Sequence, residues 1–177
     1  MRKSSLAIIS IALSLLFQIS SIPHSHASTG YRYWGYFQAA PGETEWTAAM
    51  TGPTTNLKDG SVEGWMHTFS NDEVSAASPR MTPDFAKLCK RTRAVANKKR
   101  IGVIVDFGMA AIRPRGESIP KRIKACALVD LNATGAEVLA EVTKIRAASS
   151  GFICGINGYP AKECSAEIKT PRSLLKR

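Results

Sequence analysis

The strongest constraint on the fold is a nearly continuous apolar run in the middle of the chain, Ile101–Phe107. A strand with one solvated face alternates apolar and polar residues, whereas a strand that is apolar at consecutive positions is covered on both faces. The run therefore predicts a central strand of a sheet that has further structure packed on each side.

Four other segments have the composition of strands. Tyr31–Gln38 carries aromatic residues on alternate positions, which suits a pleated surface. The other three are short apolar segments bounded by turn residues. They are Val62–Phe69, Lys124–Leu131 and Phe152–Ile156.

A first helix is predicted after the loop 70–82. Thr82 is expected to cap it, with Pro83 at its first position and Phe85 and Leu88 on one face. Lys98-Lys99-Arg100 would close this helix with the charge that favours a helix C-terminus.

A second helix is predicted after residue 134, where Thr134 and Glu137 form a capping box. Its apolar stripe consists of Val138, Leu139, Val142 and Ile145. Five strands and two helices in mixed order predict an α+β fold, in which both helices pack on one face of a mostly antiparallel sheet.

The N-terminal segment has the three parts of a secretory signal peptide. Arg2 and Lys3 precede the apolar stretch Leu6–Ile22, and a small-x-small site, Ser25-His26-Ala27, follows. We expect cleavage after Ala27; a retained membrane helix is disfavoured by the serines within the stretch. Residues 28–177 are then expected to be secreted as a single domain with a short basic C-terminal tail.

All four cysteines lie beyond the predicted cleavage site. In an exported chain an even number of cysteines indicates disulfides, and the sequence has no C-x-x-C motif that would favour zinc. Three pairings are possible for four cysteines. Closing the short loop between Cys154 and Cys164 costs little entropy, so we expect that pair and, with it, Cys89 with Cys126.

Basic residues are concentrated in the middle of the chain. Residues 80–124 hold thirteen Lys and Arg against three Asp and Glu, whereas residues 28–79 hold two against six. Such an excess attracts polyanions without sequence preference, and outside a cell these include wall polymers and anionic lipid headgroups. The predicted polyanion patch consists of Arg91, Arg93, Lys98, Lys99 and Arg100. Alternatively, these side chains are only the solvated face of the first helix.

Aromatic residues are concentrated nearer the N-terminus, where eight lie between Tyr31 and Phe69. Most aromatic residues at strand spacing belong to a core. Trp34, Trp46 and Trp65 are nevertheless predicted to be exposed at a rim and, with Tyr36, to bind a small ring-bearing ligand.

Catalytic patterns are weak in this sequence. Asp106-Phe107-Gly108 matches a kinase triplet by coincidence and instead predicts an aspartate that bonds the Gly108 turn. His67 is predicted to be a half-buried strand residue, since no catalytic partner is identifiable. We therefore expect a protein that is not an enzyme and has no cofactor or metal. A hydrolase remains an alternative through four acidic residues, Glu43, Glu45, Asp59 and Glu63.

Several short motifs together resemble an uncharacterised family of secreted actinobacterial proteins. They include Tyr31–Gln38, Gly64-Trp65, Val105–Gly108 and the segment from Cys154 to Cys164, and the resemblance covers nearly all of residues 31–164. Genes of that family often lie beside components of energy-coupling-factor transporters, which import vitamins and metals. The resemblance therefore implies a transporter component at the cell surface as a partner.

Three functions are consistent with these features. The first is a secreted binding or accessory protein that helps such an importer capture a micronutrient, for example a corrinoid. The second is a protein that associates with the cell wall or with anionic lipid through its basic middle segment. The third is a secreted hydrolase. None of the motifs indicates sequence-specific recognition of nucleic acid.

Overall fold

The computed structural model describes residues 28–175. The predicted signal peptide, residues 1–27, lies outside the described residues. Among the helices of residues 28–175, none is long and apolar enough to cross a membrane.

The described chain contains strands and two α-helices in mixed order. The strands are β1 (Thr29–Ala39), β2 (Thr47–Ala48), β3 (Val62–Ser70), β4 (Lys98–Asp106), β5 (Ile123–Asp130), β6 (Ile145–Ala147), β7 (Ile153–Ile156) and β8 (Ala166–Lys169). The helices are α1 (Phe85–Leu88) and α2 (Gly135–Val142), and short 3-10 turns cover Ala110–Ile112 and Arg172–Leu174.

Six strands form the main sheet in the order β2-β1-β3-β4-β5, with β8 paired to the first half of β1. Only the pair β3 and β4 is parallel within this sheet; the others are antiparallel. Strands β6 and β7 form a separate antiparallel hairpin. The predicted α+β class with a mostly antiparallel sheet is confirmed, and the five predicted strands correspond to β1, β3, β4, β5 and β7.

Strand β4 is covered on both faces, as its apolar run predicts. On one face Ile101, Val103 and Val105 belong to the larger core, which also contains residues of α2 and β7. On the other face Ile104 packs with a smaller cluster that includes Phe85 and Leu88 of α1. The two helices therefore lie on opposite faces of the sheet. The expectation that both pack on one face is wrong, because a strand apolar on both sides needs a cover on each.

Helix α1 is much shorter than predicted. Asp84, not Thr82, is its N-cap, since its side chain accepts a hydrogen bond from the Lys87 backbone N–H at 2.9 Å. The helix ends at Leu88, and Lys98 already begins β4. Beyond Cys89 the sequence turns polar and basic, so further helical turns would have no apolar face to bury.

Helix α2 begins as predicted. The Thr134 backbone N–H donates to Glu137 Oε2 at 2.7 Å, and the capping box is complete. The helix ends at Val142, so the prediction that Ile145 extends its stripe is wrong: Ile145 lies in β6, where it pairs with Ile156. Its side chain still packs against the larger core.

Two disulfides are present with the predicted pairing. Cys89 is bonded to Cys126 and ties the end of α1 to β5, with a sequence separation of 37. Cys154 is bonded to Cys164, with a separation of 10, and links β7 to the segment before β8. No free cysteine occurs among residues 28–175.

Candidate functional site

A groove with a volume of 790 Å³ lies between α1, the loop before it and β5. We call it the basic groove, because most of its charged residues are Lys or Arg. Its charged side chains are Arg80, Lys87, Lys90, Arg91 and Lys124, with Asp84 as the one acidic member. Met81 and Leu88 supply apolar surface in the same groove. This combination favours an anion with some uncharged surface.

The short length of α1 shapes the basic groove. One helical turn carries Lys87 and Leu88, and the polar segment that leaves it carries Lys90 and Arg91. Leu88 packs tightly against the sheet at Gly102, where a Cβ atom would lie 2.8 Å from Leu88 Cδ1. The Cys89–Cys126 disulfide then fixes this turn to β5, which supplies Lys124 on the opposite wall.

Asp84 is the one acidic residue of the basic groove, and its carboxylate has a structural contact. One of its carboxylate oxygens accepts the Lys87 backbone N–H and caps α1. The basic side chains of the groove thus outnumber the acidic one by five to one, with that one already engaged in a hydrogen bond.

Arg80 is held at the groove by a buried carboxylate. Its Nη2 atom donates to Asp106 Oδ1 at 2.6 Å and to the Gly108 carbonyl at 2.7 Å. Arg122 Nε lies 3.1 Å from Asp106 Oδ2, so two guanidinium groups share one carboxylate. The Asp106 side chain is 1% exposed and that of Arg80 is 47% exposed, which leaves part of Arg80 open to solvent.

Burial alone would raise the pKa of Asp106, but hydrogen bonds from Arg80 and from the Gly108 N–H hold it below its usual value. Asp106 therefore stays ionised at neutral pH. The predicted bond between Asp106 and the Gly108 turn is confirmed, with Gly108 N donating to Oδ1 at 3.2 Å.

The predicted polyanion patch is only partly assembled. Arg91 lines the basic groove, and Arg93 is exposed beside the same segment. Lys98 forms an ion pair with Asp130, and Arg100 pairs with Asp59 while its guanidinium lies over the Phe85 ring. These two cations therefore already have partners.

Lys99 does not belong to any surface patch. It is 1% exposed, and its Nζ donates to Asn56 Oδ1, to the Leu57 carbonyl and to the Ala133 carbonyl at 2.7, 2.9 and 2.7 Å. The expectation that it contacts a polyanion is wrong. Strand alternation turns Lys99 toward the α2 face, where loop carbonyls take the place of water around its ammonium group.

The predicted aromatic rim is largely a core. Trp34 and Trp65 are 4% and 1% exposed, and Tyr36 is buried and stacked on Trp65 with ring centroids 4.6 Å apart. The expected exposure of these three residues is wrong, because β1 and β3 are covered by α2 and the β6–β7 hairpin on that face. Trp46 is half-buried; its Nε1 donates to the Met81 carbonyl at 2.7 Å.

The four acidic residues of the hydrolase alternative do not share one environment. Glu43 and Glu45 are exposed in the loop after β1, and Asp59 is bonded to Arg100. Glu63 is 0% exposed and accepts a hydrogen bond from the Tyr36 hydroxyl at 2.6 Å. Burial raises the pKa of Glu63 to about 8. A fully buried carboxyl beneath α2 is unsuited to attack a substrate from solvent.

His67 is also enclosed. Its ring lies 5.4 Å from that of Trp34 and 5.1 Å from that of Tyr159, measured between centroids. Burial, assisted by the charge of Arg32, lowers the pKa of His67 to about 4. The predicted strand location is confirmed, but the prediction that His67 is half-buried is wrong, because its side chain is 1% exposed in the core beneath Trp34 and Tyr159. Across residues 28–175 no group of three or more His, Cys, Asp and Glu side chains is placed to hold a metal ion.

The sequence patterns did not predict two residues of the basic groove, Arg80 and Lys124. Arg80 precedes the predicted helix and Lys124 follows the central strand, so neither is near Arg91 in sequence. Both belong to the basic segment 80–124, and its excess of Lys and Arg was the only sequence feature that pointed to them. Their meeting depends on the pairing of β5 with β4 and on the disulfide at Cys126, which residue counts do not specify.

Comparison with known proteins gives one match. Residues 26–169 match the SCO2322-like domain, and no curated protein and no solved structure matches the chain. The match spans the sheet, both helices, both disulfides and every residue of the basic groove. On this coverage the chain belongs to the SCO2322-like domain family.

Proposed function

We propose that this protein works outside the cell as a non-enzymatic binding protein for phosphate-bearing ligands of the cell envelope, held in the basic groove. The observation that carries the proposal is the convergence of five basic side chains from three segments on one 790 Å³ groove. Charge of one sign in a groove concentrates anions of the opposite sign.

The ion pairs of the basic residues also support the groove as an anion site. Lys98 and Arg100 are paired with Asp130 and Asp59, whereas no carboxylate is salt-bridged to Lys87, Lys90, Arg91 or Lys124 among the described residues. Arg80 is paired, but Asp106 is shared with Arg122, so the two guanidinium groups keep an excess of one positive charge.

The disulfides are consistent with the extracellular location in this proposal. Two disulfides are typical of oxidising compartments, and the predicted cleavage after Ala27 would leave the described domain intact. Capture of a ring-bearing micronutrient for an energy-coupling-factor importer is less well supported, because Trp34, Tyr36 and Trp65 are buried. It would need a site elsewhere than the predicted aromatic rim.

Titration calorimetry with inorganic tripolyphosphate tests the function. We expect binding that weakens steeply with added salt, since exposed charges are screened beyond a Debye length of about 8 Å at physiological ionic strength. The triple variant Lys87→Glu, Lys90→Glu and Arg91→Glu should lose at least roughly tenfold in affinity, because three attractions become repulsions.

The matched control replaces three exposed basic residues away from the groove by glutamate, at Lys58, Lys144 and Lys162. It changes the net charge equally and should keep most of the affinity. Equal losses in the two triple variants would show that only net charge matters and would contradict a groove site.

A further inference from the structure

We propose that the ligand of the basic groove is a single amphiphilic phosphate ester, whose apolar chain lies in a second groove on the other side of α1. The inference rests on the proposed function and specifies its ligand class. The second groove has a volume of 340 Å³ and is called the apolar groove below. Its apolar surface comes from Pro41, Val62, Pro83, Phe85 and Ala86.

The two grooves share a wall. Thr82 and Asp84 line both of them, so the segment that enters α1 is the ridge between the grooves. The single turn of α1 then divides its side chains, with Lys87 and Leu88 lining the basic groove and Phe85 and Ala86 lining the apolar groove. A ligand that crosses this ridge would meet charge on one side and apolar surface on the other.

Charge fixes the orientation of such a ligand. The charged residues of the apolar groove are Glu43 and Asp84, and no Lys or Arg lines it. An anionic group would be repelled there and attracted in the basic groove. A polymer with evenly spaced phosphates would suit only one of the two grooves, whereas a molecule with one phosphate end and one apolar end suits both.

The surroundings favour a single bound molecule over insertion into a bilayer. The large exposed hydrophobic side chains of the described residues are Tyr31, Met50, Val95, Leu131, Phe152 and Leu175. None of them lines either groove. The apolar surface beside the basic groove forms an open groove that a chain could lie along, and it lacks the projecting side chains that would enter a membrane.

Calorimetry with methyl phosphate and hexyl phosphate tests the inference. A buried methylene contributes about fourfold in affinity, so hexyl phosphate should bind at least roughly tenfold more tightly than methyl phosphate even when its chain is partly covered. Ala86→Trp should fill the apolar groove and remove this difference between the two esters. Ala94→Trp places the same side chain at an exposed alanine outside both grooves and should preserve the difference.

The outcomes separate this inference from the proposed function. If the two esters bind equally and the Lys87, Lys90 and Arg91 triple variant loses this binding, the inference of an amphiphilic ligand is wrong. The proposal that the basic groove binds anions would still hold. A chain-length effect that survives Ala86→Trp would place the chain elsewhere and also overturn the inference. Absence of binding for both esters and for tripolyphosphate would overturn both proposals.

A vesicle experiment distinguishes the source of the ligand. We expect no sedimentation with phosphatidylglycerol vesicles beyond that of the Ala86→Trp variant, because the site holds a single molecule. The proposal is contradicted if Ala86→Trp abolishes vesicle binding while the unmodified protein binds no hexyl phosphate in solution. That result would indicate that the groove binds a lipid within a bilayer.

Discussion

Lys98 and Lys99 show how little residue type says about environment. They are neighbours in sequence, yet the Lys98 side chain is 40% exposed in an ion pair with Asp130, and Lys99 is buried with three acceptors around its Nζ. Two of those acceptors are backbone carbonyls of Leu57 and Ala133, which belong to the loops that flank β3 and α2. Lys99 thus joins two loops beneath α2.

Lys99→Met should lower the free energy of unfolding by about 3 kcal/mol, because the buried carbonyls of Leu57 and Ala133 would lose their donor. The adjacent Lys98→Met breaks only an exposed ion pair and should change the free energy of unfolding by less than about 1 kcal/mol. Urea denaturation of both variants measures the difference. Similar losses in the two variants would mean that the three hydrogen bonds of Lys99 contribute nothing beyond an exposed pair.

At the scale of elements, the two disulfides have different tasks. Cys89–Cys126 closes the longer loop and holds together two elements that line the basic groove, α1 and β5. Cys154–Cys164 closes a short loop that contributes no residue to that groove.

Replacing Cys89 and Cys126 by alanine should destabilise the protein by about 4 kcal/mol, and replacing Cys154 and Cys164 by about 3 kcal/mol, because a longer loop constrains the unfolded chain more. Only the first pair of changes should also weaken tripolyphosphate binding, measured under conditions where both variants are folded. Loss of binding on removal of Cys154–Cys164 would contradict the assignment of the groove.

The elements that sequence predicts correctly are those with local signals. The apolar run of β4, the alternation of β1 and the capping box of α2 each depend on neighbouring residues, and each is present in the fold. The predictions that failed depend on which residues are buried by segments far away in sequence. Helix α1 was predicted too long because basic residues are as compatible with a helix surface as with a loop.

The sequence predicted the positive charge of the candidate site but not which residues form it. The basic segment contains the groove, but Arg80 and Lys124 meet Arg91 through strand pairing and a disulfide, which join residues far apart in sequence. Conversely, Trp34 and Trp65 were expected at a rim because aromatic spacing alone does not show which face of a sheet is covered.

For the whole molecule, two buried titratable groups set opposite dependences of stability on pH. Burial raises the pKa of Glu63 to about 8 from its usual 4.5, and burial lowers the pKa of His67 to about 4 from its usual 6.5. The stability due to neutral Glu63 is complete below pH 4.5 and is lost as the pH rises toward 8. The stability due to neutral His67 is complete above pH 6.5 and is lost as the pH falls toward 4.

Between pH 4.5 and 6.5 the two effects oppose each other, so the stability of the protein should be nearly constant there. From pH 6.5 to 8 the effect of His67 is complete and that of Glu63 continues, so the contribution of Glu63 to the free energy of unfolding should fall by about 2 kcal/mol, at 1.36 kcal/mol for each unit of pKa difference. Asp59 and Asp106 have pKa values below their usual range, so neither titrates in this interval.

Variants separate the two contributions. Glu63→Gln removes the falling component, so its stability should rise from pH 4.5 to 6.5 and then stay level to pH 8. His67→Phe removes the rising component, so its stability should fall throughout the interval from pH 4.5 to 8. Urea denaturation at a series of pH values gives the three profiles. An unchanged decrease above pH 6.5 in Glu63→Gln would show that this loss of stability comes from another group, because a glutamine at position 63 carries no proton to release.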